Sequence, residues 1–486
     1  MTGTEPVTEA GLKLRAGTIR TFSVRRLTLS LLAVLAAGVA LANEPAITVV
    51  SGELVEGMAC AADSSQTYTL YLPPGYTSER RWPVLLVFDP RGRSVLAAEL
   101  FLEAARDYGW IIVSSNDTRS DGSWDPNIKA VAALWPEVHI RIPGDPRRIY
   151  AAGFSGGATV AHALAKKTGE IAGVIACGGP FVIDRIEGMA APVFGTAGNL
   201  DYNYQELGKL DAFLAEQGNP HRLVIFDGAH SWMPPSVARQ AVEWMELLAM
   251  KRGLREPDLE MVKRLYTKDV AVAEELALEG RQLEAAQRLS AVVRTFDGLH
   301  DIDAARARAG QLEASPEARR QRKEEKRWKA LESRSIEALT KQVGLLRFSE
   351  LPPASQQLAR ELQIDELLRR AGRPGAEGEA VQRVLNLFYT QFSFYLARDF
   401  LDAGQYDRAA TSLELALRIR SDNAVAWYNL ACCRARLHRS ASAIEALERA
   451  VEVGFDRSDL LIADTDLDSL RGRADFKALL AAINPS

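Results

Sequence analysis

The sequence predicts an α/β domain built on a mainly parallel sheet, followed by an all-helical repeat domain. Two observations lead there. Between about 47 and 250, short apolar runs alternate with longer amphipathic segments, and strands that are apolar throughout, separated by helices, mean a parallel sheet covered on both faces. From about 256 the short runs stop and Ala, Leu, Glu and Arg dominate in helical spacing. The 486 residues are 47% hydrophobic and 25% charged, which excludes a wholly disordered or fibrous chain. With 59 basic against 63 acidic residues, the basic excess expected of a nucleic-acid binder is missing.

At the N-terminus, Arg20, Arg25 and Arg26 precede the apolar block Leu27–Ala42, which ends in Ala40-Leu41-Ala42. A basic region, an apolar region and a small-residue cleavage site make a secretory signal peptide over 1–42. The expected address is therefore periplasmic or extracellular, with the mature chain starting near Asn43 and no membrane span within it. The four cysteines, Cys60, Cys177, Cys432 and Cys433, include no C-x-x-C pair. In an oxidising compartment Cys60 with Cys177 is a conceivable bridge; free buried thiols are the alternative.

The predicted strands are Tyr68–Leu72, Val84–Phe88, Trp110–Val113, Arg148–Phe154, Ala172–Cys177, Pro192–Phe194 and Leu223–Phe226, each bounded by Gly, Pro, Asp or Asn. Predicted helices between them are Val95–Tyr108, Ala158–Lys167, Tyr204–Glu216 and Val237–Met250. These elements form one domain over 47–250. A helical linker follows over 256–375, with a basic run at 319–329 read as a solvated helix face and a loop at Gly372–Gly378. Over 380–486 a 34-residue period emerges: Leu396, Ala397, Ala409, Leu413 and Ala416 recur as Leu430, Ala431, Ala443, Leu447 and Ala450. Small residues fall where two helices cross and large ones where a knob fills the gap. This spacing resembles tetratricopeptide repeats, with a weaker copy at Ala273–Leu289. The resemblance implies stacked helix pairs that bind a protein partner, here unidentified.

Gly153-Phe-Ser-Gly-Gly157 fits G-x-S-x-G between a predicted strand and a predicted helix. That context makes Ser155 the candidate nucleophile, held above the sheet on a strained turn. The following helix aims backbone N–H groups and its positive end at the site. Among six histidines, His230 lies in the loop after the last strand, at the sheet edge where ligands gather, and is the candidate base. Asp201 is the one carboxylate in the loop after Pro192–Phe194 and completes the order Ser, Asp, His; capping the next helix is its competing role. No H-E-x-x-H, P-loop or G-x-G-x-x-G after a strand occurs, so no metal or cofactor is expected.

Together with the Tyr68–Tyr76 segment and Gly228–Trp232, these motifs resemble the α/β-hydrolase superfamily, and within it secreted esterases of the feruloyl esterase and polyhydroxyalkanoate depolymerase kind. The resemblance spans about 60–250. It implies Ser155 as nucleophile, His230 as base, Asp201 as acid, and an oxyanion hole made by the N–H of Gly156 and of Arg91 or Gly92. Two departures stand out: Asp89-Pro-Arg-Gly-Arg93 replaces the family's His-Gly-x-Gly, and Gly198 occupies the family's usual aspartate position. Arg91, Trp124 and Trp232 are the candidate substrate contacts. The expected activity is hydrolysis of a small or polymeric carboxylic ester through an acyl-enzyme; a serine peptidase and a catalytically silent scaffold are the alternatives.

Overall fold

The computed structural model describes residues 50–120 and 122–483; the signal-peptide expectation lies outside them. Eight strands form one sheet: β1 Leu54–Ala59, β2 Thr67–Tyr71, β3 Trp82–Phe88, β4 Ile111–Ser115, β5 Gly144–Phe154, β6 Ile171–Cys177, β7 Val193–Gly198 and β8 His221–Phe226. Their spatial order is β1-β2-β4-β3-β5-β6-β7-β8. β1 and β2 are antiparallel to their neighbours, and from β4 to β8 every pairing is parallel. The carboxyl ends of β3, β5, β6, β7 and β8 therefore open on one edge.

The apolar strand runs explain this layering. Along β3, Val84, Leu86 and Phe88 enter one core with Leu134, Leu164 and Leu214, while Leu85 and Val87 enter the opposite core with Phe101, Phe194 and Met245. A strand apolar at every position needs helices on both faces. Helices Asp125–Pro136, Gly156–Thr168 and Tyr204–Glu216 cover the first face; Ser94–Glu99, Leu102–Tyr108 and Pro235–Lys251 cover the second.

Three local expectations change. The single helix expected over Val95–Tyr108 breaks at Leu100–Phe101, and the fully buried Phe101 packs edge-on to Trp232 at the break. β1 is an edge strand of mixed exposure, so it left no apolar run to read. The expected Gly372–Gly378 loop is shorter, because Ala376 already starts a helix. All four cysteines are free and buried. Cys60 belongs to one face of the sheet and Cys177 to the other, so no bridge joins them.

From Leu259 to Ile483 the described chain is helical. Asp258, Ser315 and Asn423 start three of its helices by accepting the N–H of Met261, Ala318 and Ala426. The positions of the 34-residue period are all buried, from Leu396, Ala397, Ala409, Leu413 and Ala416 to Leu430, Ala431, Ala443, Leu447 and Ala450. They lie in stacked helices ending at Asp402 and spanning Tyr406–Ile419, Ala424–Arg436 and Ser440–Glu452. Among the described residues no helix is long and apolar enough to cross a membrane.

Candidate active site

β5 ends at Phe154, and the helix Gly156–Thr168 starts two residues later. Ser155 makes the turn at φ 51 and ψ −118, a strained conformation for a residue with a side chain. Its neighbours leave no room for alternatives. A Cβ on Gly153 would lie 2.1 Å from the Gly157 carbonyl oxygen, and one on Gly157 would lie 1.9 Å from that of Phe88. The turn can pack this tightly against β3 only with glycine at both places. Gly156 opens the helix, so its N–H has no intrahelical acceptor and faces the site with the positive helix end.

The loops after β7 and β8 bring the partners. His230 Nε2 lies 3.0 Å from Ser155 Oγ, and its Nδ1 lies 2.9 Å from Asp201 Oδ1. Asp201 is fully buried, while the His230 side chain keeps 18% of its exposure, enough to meet a substrate. Asp201 Oδ1 also accepts the Asn203 N–H at 2.8 Å, so the carboxylate both organises its own turn and faces the imidazole. It is not the cap of the next helix, whose first turn follows Asn203. The other five histidines are elsewhere: His162 is buried in the helix that covers the first face, and His139, His221, His300 and His438 lie away from the serine, the first three on backbone carbonyls of their own surroundings.

The displaced acid has a steric reason. A Cβ on Gly198 would lie 2.2 Å from the Gly228 carbonyl oxygen and 2.6 Å from that of Ala229. The backbone of the His230 loop therefore fills the space of a side chain at 198, and the carboxylate arrives three residues later.

The loop after β3 is built around Asp89. Its buried carboxylate accepts the Arg91 N–H at 2.8 Å, the Arg93 N–H at 3.2 Å, the Arg93 guanidinium at 2.9 and 3.0 Å, and the Trp232 indole N–H at 2.8 Å. Burial alone would raise this carboxyl, but those hydrogen bonds outweigh it and hold it below the usual range. The Gly92 N–H donates to the Asp89 carbonyl at 3.1 Å. Both backbone donors expected for the oxyanion hole, Arg91 and Gly92, are thus turned into their own loop. The expected substrate contacts also separate. Arg91 is exposed, Trp124 packs at the margin of the first core, and Trp232 is 8% exposed and tied to Asp89.

Sequence reasoning missed the residues around the acid loop. Tyr202 sets its ring 4.2 Å from that of His230, tilted by 35°, and burial, with Tyr395 and Asp201 nearby, pushes its phenol up. Tyr395 comes from the helical half, as do two more groups. Arg383 donates to the Asn199 carbonyl and Asn386 to the Leu200 carbonyl, each at 2.7 Å. Arg383 also lies over the Tyr204 ring and pairs with the buried Glu332 at 2.6 Å.

Strand order, parallel connections and the strained serine turn decide the architecture. The sheet domain has the α/β-hydrolase fold. A family model, the tetratricopeptide repeat, matches residues 400–463, and the C-terminal stacked helices are repeats of that kind. A curated relative, a chloroplast protein of Arabidopsis thaliana, is 32% identical over 90 residues, which is 18% of this chain and 27% of that protein. The chain thus spans about a quarter of that relative's length. Similar solved structures include the Staphylococcus aureus fluorophosphonate-binding serine hydrolase FphF (13% identity, 40% of this chain and 97% of that one, TM-score 0.33). Others are a ferulic acid esterase (17%, 40% and 97%, TM-score 0.33) and Est1E from Butyrivibrio proteoclasticus (14%, 40% and 100%, TM-score 0.33).

Proposed function

We propose that the chain is an exported serine hydrolase that cleaves a carboxylic ester through an acyl-enzyme, with its repeats serving as a protein-binding module. The observation that carries this is the unbroken chain from Asp201 through His230 to Ser155, with contacts of 2.9 and 3.0 Å, on the open sheet edge. In this reading the Ser155 oxygen bonds to the acyl carbon as its proton passes to His230 Nε2. The tetrahedral oxyanion meets the Gly156 N–H and the helix N-terminus. Its collapse breaks the ester C–O bond, and His230 returns the proton to the leaving alcohol. Water, deprotonated by the same imidazole, then releases the acid and restores Ser155. Asp201 fixes the tautomer with Nδ1 protonated and stabilises the imidazolium. The basic, apolar and small-residue pattern of the sequence over 1–42 supports the proposed address.

The test is covalent labelling with a fluorophosphonate together with turnover of a chain-length series of p-nitrophenyl esters. Wild-type protein should label and turn over. Ser155→Ala should abolish labelling, and Asp201→Asn should lower kcat by about 10⁴-fold. Labelling that survives Ser155→Ala would defeat the assignment. Turnover of peptides in preference to esters would move the chain to the peptidases. The inward-turned Arg91 and Gly92 N–H groups favour a second reading, a silent scaffold, in which wild-type protein neither labels nor turns over any ester.

A further inference from the structure

We propose that Ser120, in the loop after β4, is a further catalytic residue: its hydroxyl is the second hydrogen-bond donor to the oxyanion formed at Ser155. The inference rests on the hydrolase reading above. The site is short of donors. Beyond Asp89, the loop after β3 offers no free backbone donor, because Pro90 has no N–H and the N–H groups of Arg91, Gly92 and Arg93 all bond to Asp89. The neighbouring Thr118 hydroxyl is also engaged, donating to the Asp89 carbonyl at 2.7 Å. The Gly156 N–H would otherwise meet the developing charge alone, whereas each donor in such a site is worth about 10²–10³ in kcat.

Ser120 meets the need by position. Its Cβ lies 2.3 Å and its Oγ 3.2 Å from where a Cβ on Gly156 would be. The missing side chain at 156 is thus what lets this hydroxyl approach the residue after the nucleophile. It places Oγ within about 5.7 Å of the Gly156 nitrogen. Two donors that far apart can each reach one shared oxygen at about 2.9 Å, and the oxygen on the carbon attacked by Ser155 is that acceptor. The backbone carrying Ser120 is fixed. The buried Asn127 amide holds Arg119 from both sides, accepting its N–H at 2.9 Å and donating to its carbonyl at 2.6 Å. The Ser120 N–H donates to the Pro90 carbonyl at 2.9 Å. The hydroxyl itself is uncommitted. Ser120 is exposed, and the Pro90 carbonyl lies 3.5 Å from its Oγ, beyond the ordinary O–H···O range of about 2.5–3.0 Å. As the acyl carbon becomes tetrahedral, its oxygen takes on negative charge, and the Ser120 O–H donates to it. The proton stays on Ser120 throughout. Because the charge peaks after substrate has bound, the contact lowers the barrier more than it tightens binding.

The test compares Ser120→Ala, Ser120→Thr and Ser123→Ala, the last removing an exposed hydroxyl three residues along the same loop. Turnover of a p-nitrophenyl ester is measured alongside inhibition by an alkyl trifluoromethyl ketone, after the melting temperature of each variant is checked. Ser155 adds to that ketone to give a tetrahedral adduct whose oxygen occupies the oxyanion position. Ser120→Ala should lower kcat about 100-fold with KM nearly unchanged, and weaken the ketone by a similar factor. Ser120→Thr keeps the donor and should recover most of kcat, and Ser123→Ala should match wild type. Unchanged kcat in Ser120→Ala, an effect confined to KM, ketone inhibition that does not weaken, or a folded Ser120→Thr no better than Ser120→Ala would each overturn the proposal. Should Ser120→Ala fail to fold, Ser120→Cys, which keeps the bulk and weakens the donor, carries the same comparison. A wild-type protein that neither labels with a fluorophosphonate nor cleaves any ester defeats the hydrolase reading itself. An active wild type with an equally active Ser120→Ala defeats this inference alone.

Discussion

At the scale of single residues, the molecule separates what chemistry demands from what space allows. Ser155 and His230 were legible because a G-x-S-x-G turn and a late loop histidine are local patterns. Asp201 was legible by elimination and its departure from position 198 was visible too, but the reason was not, since the obstacle is the backbone of the distant Gly228–Ala229 loop. Trp232 misled for a related reason: its indole N–H found a buried carboxylate, Asp89, instead of a ligand. His162 offers a test of burial. It is held down to about 4 by desolvation alone, and its Nε2 has no hydrogen-bond partner. The unfolded chain therefore takes up a proton below about pH 6.5 that the native state refuses until about pH 4. The stability from this neutral ring is complete above pH 6.5 and is lost as pH falls toward 4. His162→Leu, which removes the titration, should gain of the order of 2–3 kcal/mol on wild type at about pH 4.5 relative to their difference at about pH 7. Paired urea melts at the two pH values measure it, and a pH-independent difference would refute it.

Among the elements, the loop bearing Asp201 is the most instructive, because it is held from both halves of the chain. On one side it follows β7; on the other, Arg383 and Asn386 grip its carbonyls from helix Ala376–Thr390. The strands and the repeat helices could be read in sequence because their apolar periods are local. This grip could not, because Arg383 and Asn386 sit on a helical period that says only which face is inward. Arg383 also neutralises Glu332 on the 33-residue helix Pro316–Phe348. Arg383→Met leaves that carboxylate buried without a partner and should cost about 3–5 kcal/mol. Adding Glu332→Leu should return most of the stability while kcat stays reduced, since the acid loop still lacks its donor. Denaturant melts and ester turnover on the two variants separate these effects; kcat recovering along with stability would show that the grip has no part in positioning Asp201.

For the whole molecule, the two halves expected from sequence are present, yet they are not beads on a tether. Arg222 of β8 pairs with Asp269 at 2.8 Å, both buried, and Arg288 joins the same carboxylate. Leu247 and Met250, from the last helix of the sheet domain, pack in a common core with Leu265 and Leu289. Composition shifts mark where one kind of structure gives way to another, but charge pairing across the seam leaves no period to detect. Residues 43–254 produced alone should lose about 10 °C or more in melting temperature, or aggregate, because the Leu247 and Met250 face is stripped of its apolar cover and Arg222 of its ion pair. Differential scanning of the fragment beside the full chain decides it, and equal stability would mean the seam is dispensable. The Arg383 and Asn386 contacts bridge 184 and 186 positions of sequence. A ribosome making this protein therefore finishes the serine, the acid and the histidine long before it delivers the side chains that steady them. The nascent polypeptide spends that interval with its Asp201 turn held from the β7 side alone.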